Sequence, residues 1–442
     1  MRWTGIVCGA AIAASLFFGG ATQKGVVSDS IVQFAWAPLV VLLVAHARRV
    51  YAAVDRWTLA LIGLIVAIPI AQLIPLPPAV WSALPGRGAV LETYASAQIA
   101  PPWLGVSISP WATERVAFAL LPPIAAFFGF LMCDRRQRSN LLLLVLAIGA
   151  ISIAVDFLQV IEGPESALRF HAPTNPYFGV GFFANKNHNA AFLYSLIPLA
   201  AVVYRQQRAK RGGLALAALS GFYLLVLLGL MTTGSRSALA LGALSWALSY
   251  LFLLRDGLSL ARGRARLYAL AIGAVLVVAA LALAFGLDTI LARFASDELI
   301  GGARAMIAGV SATAAWAFFP FGSGLGTFER VFPLFQTAGT LLPAVVNHAH
   351  FDPLEIVIET GLAGLLAMTG WMALTARALK ANLSEPDADT RARRNAAFIV
   401  VAQLVVHSFW DYPLRTSALS VVFAIACAML ASAPVRGARQ PR

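Results

Sequence analysis

The sequence predicts an all-α polytopic membrane protein of about twelve transmembrane helices. Three observations carry that reading. Hydrophobic residues make up 60% of the 442 residues and charged ones only 12%, which leaves too little polar surface for a soluble globular domain. Apolar runs of roughly 17–25 residues, long enough to cross a bilayer, recur along the chain. Basic residues gather between alternate runs, as they do in cytoplasmic loops.

The runs lie near 4–20, 29–46, 57–75, 114–132, 140–159, 186–204, 214–233, 236–254, 267–285, 353–375, 395–411 and 416–434. The first follows Arg2 without a convincing cleavage site and precedes further spans, so it reads as a retained helix rather than a signal peptide. Arg48, Arg49 and Arg56, Arg135 to Arg138, Arg205 to Arg211, Arg255 to Arg266, Arg377 to Arg394 and the tail from Arg436 all fall on one side. An even number of spans with both termini on that side satisfies the positive-inside rule and makes it cytoplasmic. The net charge of +13 is then a matter of topology, and no nucleic-acid partner is expected. Membrane lipids are. Cys8, Cys133 and Cys427 are scattered and suggest neither a disulfide framework nor a metal cluster.

Residues 1–442 read as one integral membrane domain whose outer loops hold the structured content. Loops 76–113 and 160–185 are the shorter ones, and about 287–350 is a long loop with short helices. Within it Asp297 to Phe318 has helical spacing (Leu299, Met306, Val310, Ala314) and suits an amphipathic helix on the membrane surface.

Five polar clusters fall on this outer face. The most informative is Asn347-His-Ala-His-Phe-Asp-Pro-Leu-Glu355, which opens an apolar helix that also carries Glu359. Ionisable groups at the mouth of a membrane helix are costly, and a functional site is their default reading. Asp352 fits an N-cap, Pro353 the first turn, and Glu355 completes a capping box. His350 then stands just outside the positive helix end, which favours a neutral ring able to accept a proton. Glu359, one turn below Glu355, is placed to orient His350 or to pair with an arginine. The bland alternative makes His348 and His350 interfacial loop residues, but leaves Glu359 unexplained. His348-x-His350-x-Asp352 resembles metal-ligand spacing, yet Asp352 is committed to capping and no metal or other cofactor is expected.

The second cluster, Thr232-Thr-Gly-Ser-Arg-Ser237, is a tight turn between two spans. Gly234 suits a helix stop and Ser235 the next helix's cap. Arg236 is thereby held at the boundary, where its guanidinium fork suits phosphate oxygens or merely snorkels. The third is Arg304, a candidate second phosphate clamp, followed by Pro320-Phe-Gly-Ser-Gly-Leu-Gly-Thr-Phe328, whose glycines permit close approach of backbone to a ligand or form a plain loop. The fourth is Asn185-Lys-Asn-His188, which either binds a sugar, with Asn185 and Lys186 leading, or sets the loop. The fifth is His407 to Arg415, in which Arg415 and Asp411 form one salt bridge or part of the site.

At these residues the chain resembles the O-antigen ligase and polymerase superfamily of bacterial envelope enzymes. The pattern His-[Asn/Ser/Gln]-x9-Gly-x-x-[Gly/Thr/Tyr] is met by His350, Gly361 and Gly364, with Phe351 where a polar residue is usual. Ser235-Arg236 matches the family's Ser-Arg turn, and Arg304 before Pro320 to Phe328 matches its arginine and glycine stretch. The likeness runs from about Asn185 to Arg415. It implies a class-C-like membrane fold and an inverting, metal-independent glycosyltransferase at the periplasmic face of the bacterial inner membrane. The implied donor is a glycan on undecaprenyl diphosphate, and the acceptor is another glycan or lipid A-core. His350 would be the base, with Glu359 beside it. Arg236 and Arg304 would hold the diphosphate. His348, Asn185, Lys186 and Arg415, from the clusters above, are the further substrate-binding candidates. A polysaccharide polymerase leads, an O-antigen ligase is the near rival, and a transporter or flippase and a non-catalytic sensor are readings from other classes.

Overall fold

A computed structural model describes residues 3–22, 27–254, 298–342 and 345–431. The described residues are helical, with no β-strand among them. The long helices are α1 (Thr4–Phe18), α2 (Val27–Ala45), α3 (Arg56–Leu73), α4 (Pro110–Met132), α5 (Arg135–Glu162), α6 (Lys186–Arg211), α7 (Gly213–Thr232), α8 (Arg236–Ser249), α9 (Glu298–Phe318), α10 (Asp352–Leu383), α11 (Ala388–His407) and α12 (Ser417–Ala431). Six of them, α2, α3, α4, α5, α7 and α10, are long and apolar enough to cross a membrane. Helices also lie on the other predicted runs except 267–285, which is outside the described residues.

Local sequence explains the ends. Asp134 caps α5 by accepting the Gln137 N–H at 2.8 Å while Gln137 accepts the Asp134 N–H at 2.9 Å, a reciprocal capping box. Arg138 turns back onto the last carbonyls of α4, Phe130, Leu131 and Cys133, the end of a helix where a cation is favoured. Gly234, at φ 54, stops α7 so that α8 begins at Arg236.

α6 lies at the centre, packed by α5, α7, α8 and α11. His188 through Tyr204 are all buried. Enclosure by protein lets this helix carry Asn187, His188 and Asn189 at its start, because those groups meet partners rather than lipid. Most of the apolar interior belongs to one cluster built from α1, α2, α4–α8, α11 and α12. A second, smaller core joins Ile307, Val310 and Phe318 of α9 to Phe328, Phe332, Ala349 and Ile358. A helix covers Glu298–Phe318 of the expected Asp297–Phe318 stretch, and one side of it packs on α10.

α10 is broken. Gly361 has φ 56 and ψ −133, and a Cβ there would collide with the Pro320 carbonyl. Around the break the loop of 320–327 replaces the missing helical bonds. Ser323 N–H donates to Ile358 O at 2.9 Å, Gly324 N–H to Glu359 O at 2.9 Å, and Leu362 N–H to Pro320 O at 2.8 Å. Gln72 Nε2 also donates to Glu359 O at 2.8 Å. The glycines of this loop therefore serve close approach of backbone to backbone: a Cβ on Gly322 would stand 2.5 Å from Glu359 O. Arg87, itself buried, ties the same loop to 76–113 through Gly322 O at 3.0 Å, Pro85 O at 3.0 Å and Val106 O. Burial lowers its guanidinium to about 10.

Candidate active site

The stretch 347–351 is anchored by its middle. Ala349 is buried in the second core, and its N–H donates to Glu355 Oε2 at 2.7 Å. The flanking histidines leave that anchor for different surroundings. His348 is 2% exposed and places Nδ1 2.8 Å from Glu355 Oε1. His350 has φ 52, the left-handed region that few residues with a side chain adopt. Its side chain stays 26% exposed, and its Nδ1 lies 3.5 Å from Asp411 Oδ1.

The capping expectation needs correction. α10 starts at Asp352 itself, with Phe351 in the N-cap position and no side-chain cap. Asp352 is drawn away by Arg415, whose Nε donates to Oδ1 at 2.6 Å. Glu355 reaches past the cap to Ala349 and His348. A largely enclosed guanidinium outcompetes the helix's own N–H groups for Asp352, since a charge-assisted bond is the stronger one.

Two charged clusters result. In the first, Arg415 Nη1 lies 3.0 Å from Glu355 Oε1 and 3.3 Å from Glu359 Oε2, besides its bond to Asp352. Glu359 also accepts the Phe328 N–H at 3.2 Å. Burial alone would lower the Arg415 guanidinium, but the charges of Glu355, Glu359 and Asp352 raise it above its ordinary range. Glu359 thus takes the arginine partner that was one of its two expected roles.

Asp411 organises the second cluster. Its fully buried carboxylate accepts Asn187 Nδ2 at 2.7 Å and the Tyr412 N–H at 2.9 Å. His188 Nε2 lies 3.6 Å away and His350 Nδ1 3.5 Å away on the same Oδ1. Burial would raise this carboxyl, but the two imidazoles hold it well below the usual carboxylate range. Asp411 and Arg415, read from sequence as possible partners, belong to separate clusters. The Tyr412 ring stands between three imidazoles, with centroids 4.1 Å from His348, 5.0 Å from His350 and 4.9 Å from His188.

Asn185 and Lys186 stand at the start of the helix that carries His188. Asn185 caps α6, accepting the Asn187 N–H at 2.8 Å, and the Lys186 ammonium sits 3.8 Å from the Phe178 ring centroid. Both set the loop that delivers Asn187 and His188 to Asp411. His407, at the end of α11, meets Tyr194 Oη at 2.8 Å through Nδ1 and Ser237 Oγ at 3.5 Å through Nε2. That contact brings the Ser235-Arg236-Ser237 turn to the segment that carries Asp411. Arg304 is exposed on α9. Among the described residues no group of three or more His, Cys, Asp or Glu is arranged to hold a metal ion.

Residues 221–369 match the family model described as O-antigen ligase. That segment, about a third of the chain, is similar to the O-antigen ligase family. No curated protein matches the chain. The matched segment contains Arg236, Arg304, the glycine loop, both histidines, Glu355 and Glu359. Asn187, His188, Asp411 and Arg415 lie outside it and are brought to it only by the fold. Asp411, Asn187 and His188 are the residues that spacing alone did not assign. Their sequence signals, a polar helix start at 185–188 and a polar turn at 407–415, are legible, but the pairing across them is not.

Proposed function

We propose that this chain transfers a glycan from an undecaprenyl-diphosphate-linked donor to a sugar hydroxyl, with inversion and without a metal. The reaction would take place at the periplasmic face of a bacterial inner membrane. The observation that carries the reading is His350: a partly exposed imidazole in a strained backbone conformation, with Nδ1 turned to a buried carboxylate. A ring held in this way turns Nε2 to the acceptor, and the carboxylate stabilises the imidazolium that forms.

Nε2 takes the proton of the acceptor hydroxyl as its oxygen attacks the anomeric carbon, opposite the diphosphate. The bond from that carbon to the diphosphate oxygen breaks, and the leaving group carries off the electron pair. Arg236 and Arg304 meet the negative charge that grows there. The proton stays on His350 until it passes to water. Asp411 is the positioning residue for His350, and Asn187 and His188 position Asp411. Arg415, Asp352, Glu355, Glu359 and His348 form the ionic floor that fixes the start of α10.

The acceptor proposed is a second lipid-linked repeat unit, which makes the chain a polysaccharide polymerase. Phe351, packed against Phe409 with centroids 5.6 Å apart, gives the base an apolar neighbour where the ligase-like pattern has a polar one. The ligase reading, with lipid A-core as acceptor, draws support from the description of the matched family. Product analysis after gene deletion tests the two. Accumulation of lipid-linked single repeats supports the polymerase. Lipid-linked long chains beside bare core support the ligase. The break in α10 is a feature that transporters use to bind ions with freed carbonyls. Here Ile358 O and Glu359 O are taken by Ser323, Gly324 and Gln72, which speaks against transport.

A further inference from the structure

A cavity of about 610 Å³ lies between α3, α4, α10 and α12, away from the histidines. Its volume falls within the roughly 300–1,000 Å³ typical of a site for one small ligand. The walls are apolar, among them Leu61, Ile65, Phe127 and Phe423. Its charged lining residues, Asp55, Arg377 and Arg394, all sit at one end, where α3 begins, α10 nears its close and α11 has just begun. Leu120 and Leu414 also line it, away from those charges.

The dimensions and charge identify an occupant. Along α10 the lining runs from Trp371 to Ala381 and along α12 from Ser420 to Ala431, about 15 Å at the rise of an α-helix. That is at least half of a hydrocarbon core of about 30 Å, room for most of one acyl chain. At the charged end Arg377 pairs with Asp55 at 2.7 Å yet remains half exposed. Arg56 and Lys380 stand exposed on the same end of α3 and α10, and the surroundings of Asp55 are therefore net basic. We propose that this cavity holds one acyl chain of an anionic glycerophospholipid, with its phosphate at Arg377. On the orientation read from the basic loops this lipid belongs to the cytoplasmic leaflet. Its phosphate sits on the face opposite His350, unlike that of a donor whose diphosphate lies beside that ring. The inference rests on that orientation and not on the transferase reading.

The test uses the full chain in mild detergent and a phosphatidylglycerol brominated on one acyl chain, which quenches a tryptophan only on contact. Trp371 lines the cavity, against Phe423. The signal read is therefore the difference in fluorescence quenching between the native chain and Trp371→Phe. Saturable quenching of Trp371 is expected. It should be about fivefold weaker in Arg377→Gln, the effect of one basic residue at an anionic lipid surface, and near native in Arg377→Lys. Brominated phosphatidylethanolamine should bind as weakly as the glutamine variant does. Absence of a Trp371 component, or equal binding of the two lipids, overturns the proposal. Displacement of the probe by undecaprenyl phosphate overturns it as well and assigns the cavity to the donor's tail. Because none of these readouts needs turnover, an inactive but lipid-binding chain would refute only the transferase reading.

Discussion

Asp411 Oδ1 lies 3.5 Å from His350 Nδ1 and 3.6 Å from His188 Nε2. One buried carboxylate thus serves two imidazoles brought from the start of α6 and from the mouth of α10. In Asp411→Asn the orientation of His350 and the support for its imidazolium are lost together. A fall in kcat of about tenfold to a hundredfold is expected, as for other groups that orient a reacting residue, with little change in donor affinity. Steady-state kinetics on the purified variant check it.

The same carboxylate predicts a pH dependence of stability. Its folded-state value is depressed, so its contribution is fully present above the ordinary value of about 4 and is lost as pH falls from there through the folded value. The native chain should lose more Tm than Asp411→Asn when pH is lowered below about 4. Parallel melting curves would contradict the assignment.

Arg236 tests the phosphate clamp. Lysine keeps the charge but loses the fork, so Arg236→Lys is expected to retain partial activity. Arg236→Ala should lose about a hundredfold or more in kcat/KM, the usual cost of a missing charge-stabilising donor. Equal kinetics for the native chain and both variants would reduce Arg236 to an interfacial anchor.

Arg415 faces three carboxylates inside the protein. Removing one partner of a buried ion cluster leaves uncompensated charge and costs about 3–5 kcal/mol. Arg415→Ala should therefore lower Tm sharply and reduce the yield of folded protein, where a surface arginine would not. Differential scanning fluorimetry in detergent reads the difference.

The break in α10 makes a separate prediction. Alanine at Gly361 is strained at φ 56 and collides with Pro320 O, so Gly361→Ala should destabilise by about 1–3 kcal/mol. A variant as stable as the native chain would mean that the loop of 320–327 does not fix the break.

The helical framework was legible because apolar runs of membrane length record the cost of exposing polar backbone to lipid. Gly234 as a helix stop and the helical spacing ending at Phe318 were legible for a similar reason, since each is decided by its neighbours in sequence. The histidine–acid mouth of α10 was visible as a set of costly charges. What stayed hidden was partnership. Asp352 and Glu355 form a capping box by spacing, but Arg415 arrives from the far end of the chain and wins them. Glu359 is taken by the same arginine, leaving His350 to Asp411. The glycines at 322, 324 and 326 suggest a ligand cradle as readily as a backbone splint. Only the position of Gly361 against Pro320 distinguishes the two.

The central claim is that His350, held by Asp411, takes the acceptor's proton. It is tested most directly by the single-turnover rate of His350→Ala on a purified undecaprenyl-diphosphate-linked glycan, with donor binding measured on the same preparation. The account predicts a transfer rate lower by about a hundredfold to ten-thousandfold, the usual share of a positioned base, with donor affinity and Tm close to native. Transfer at the native rate by a folded, donor-binding His350→Ala would contradict it.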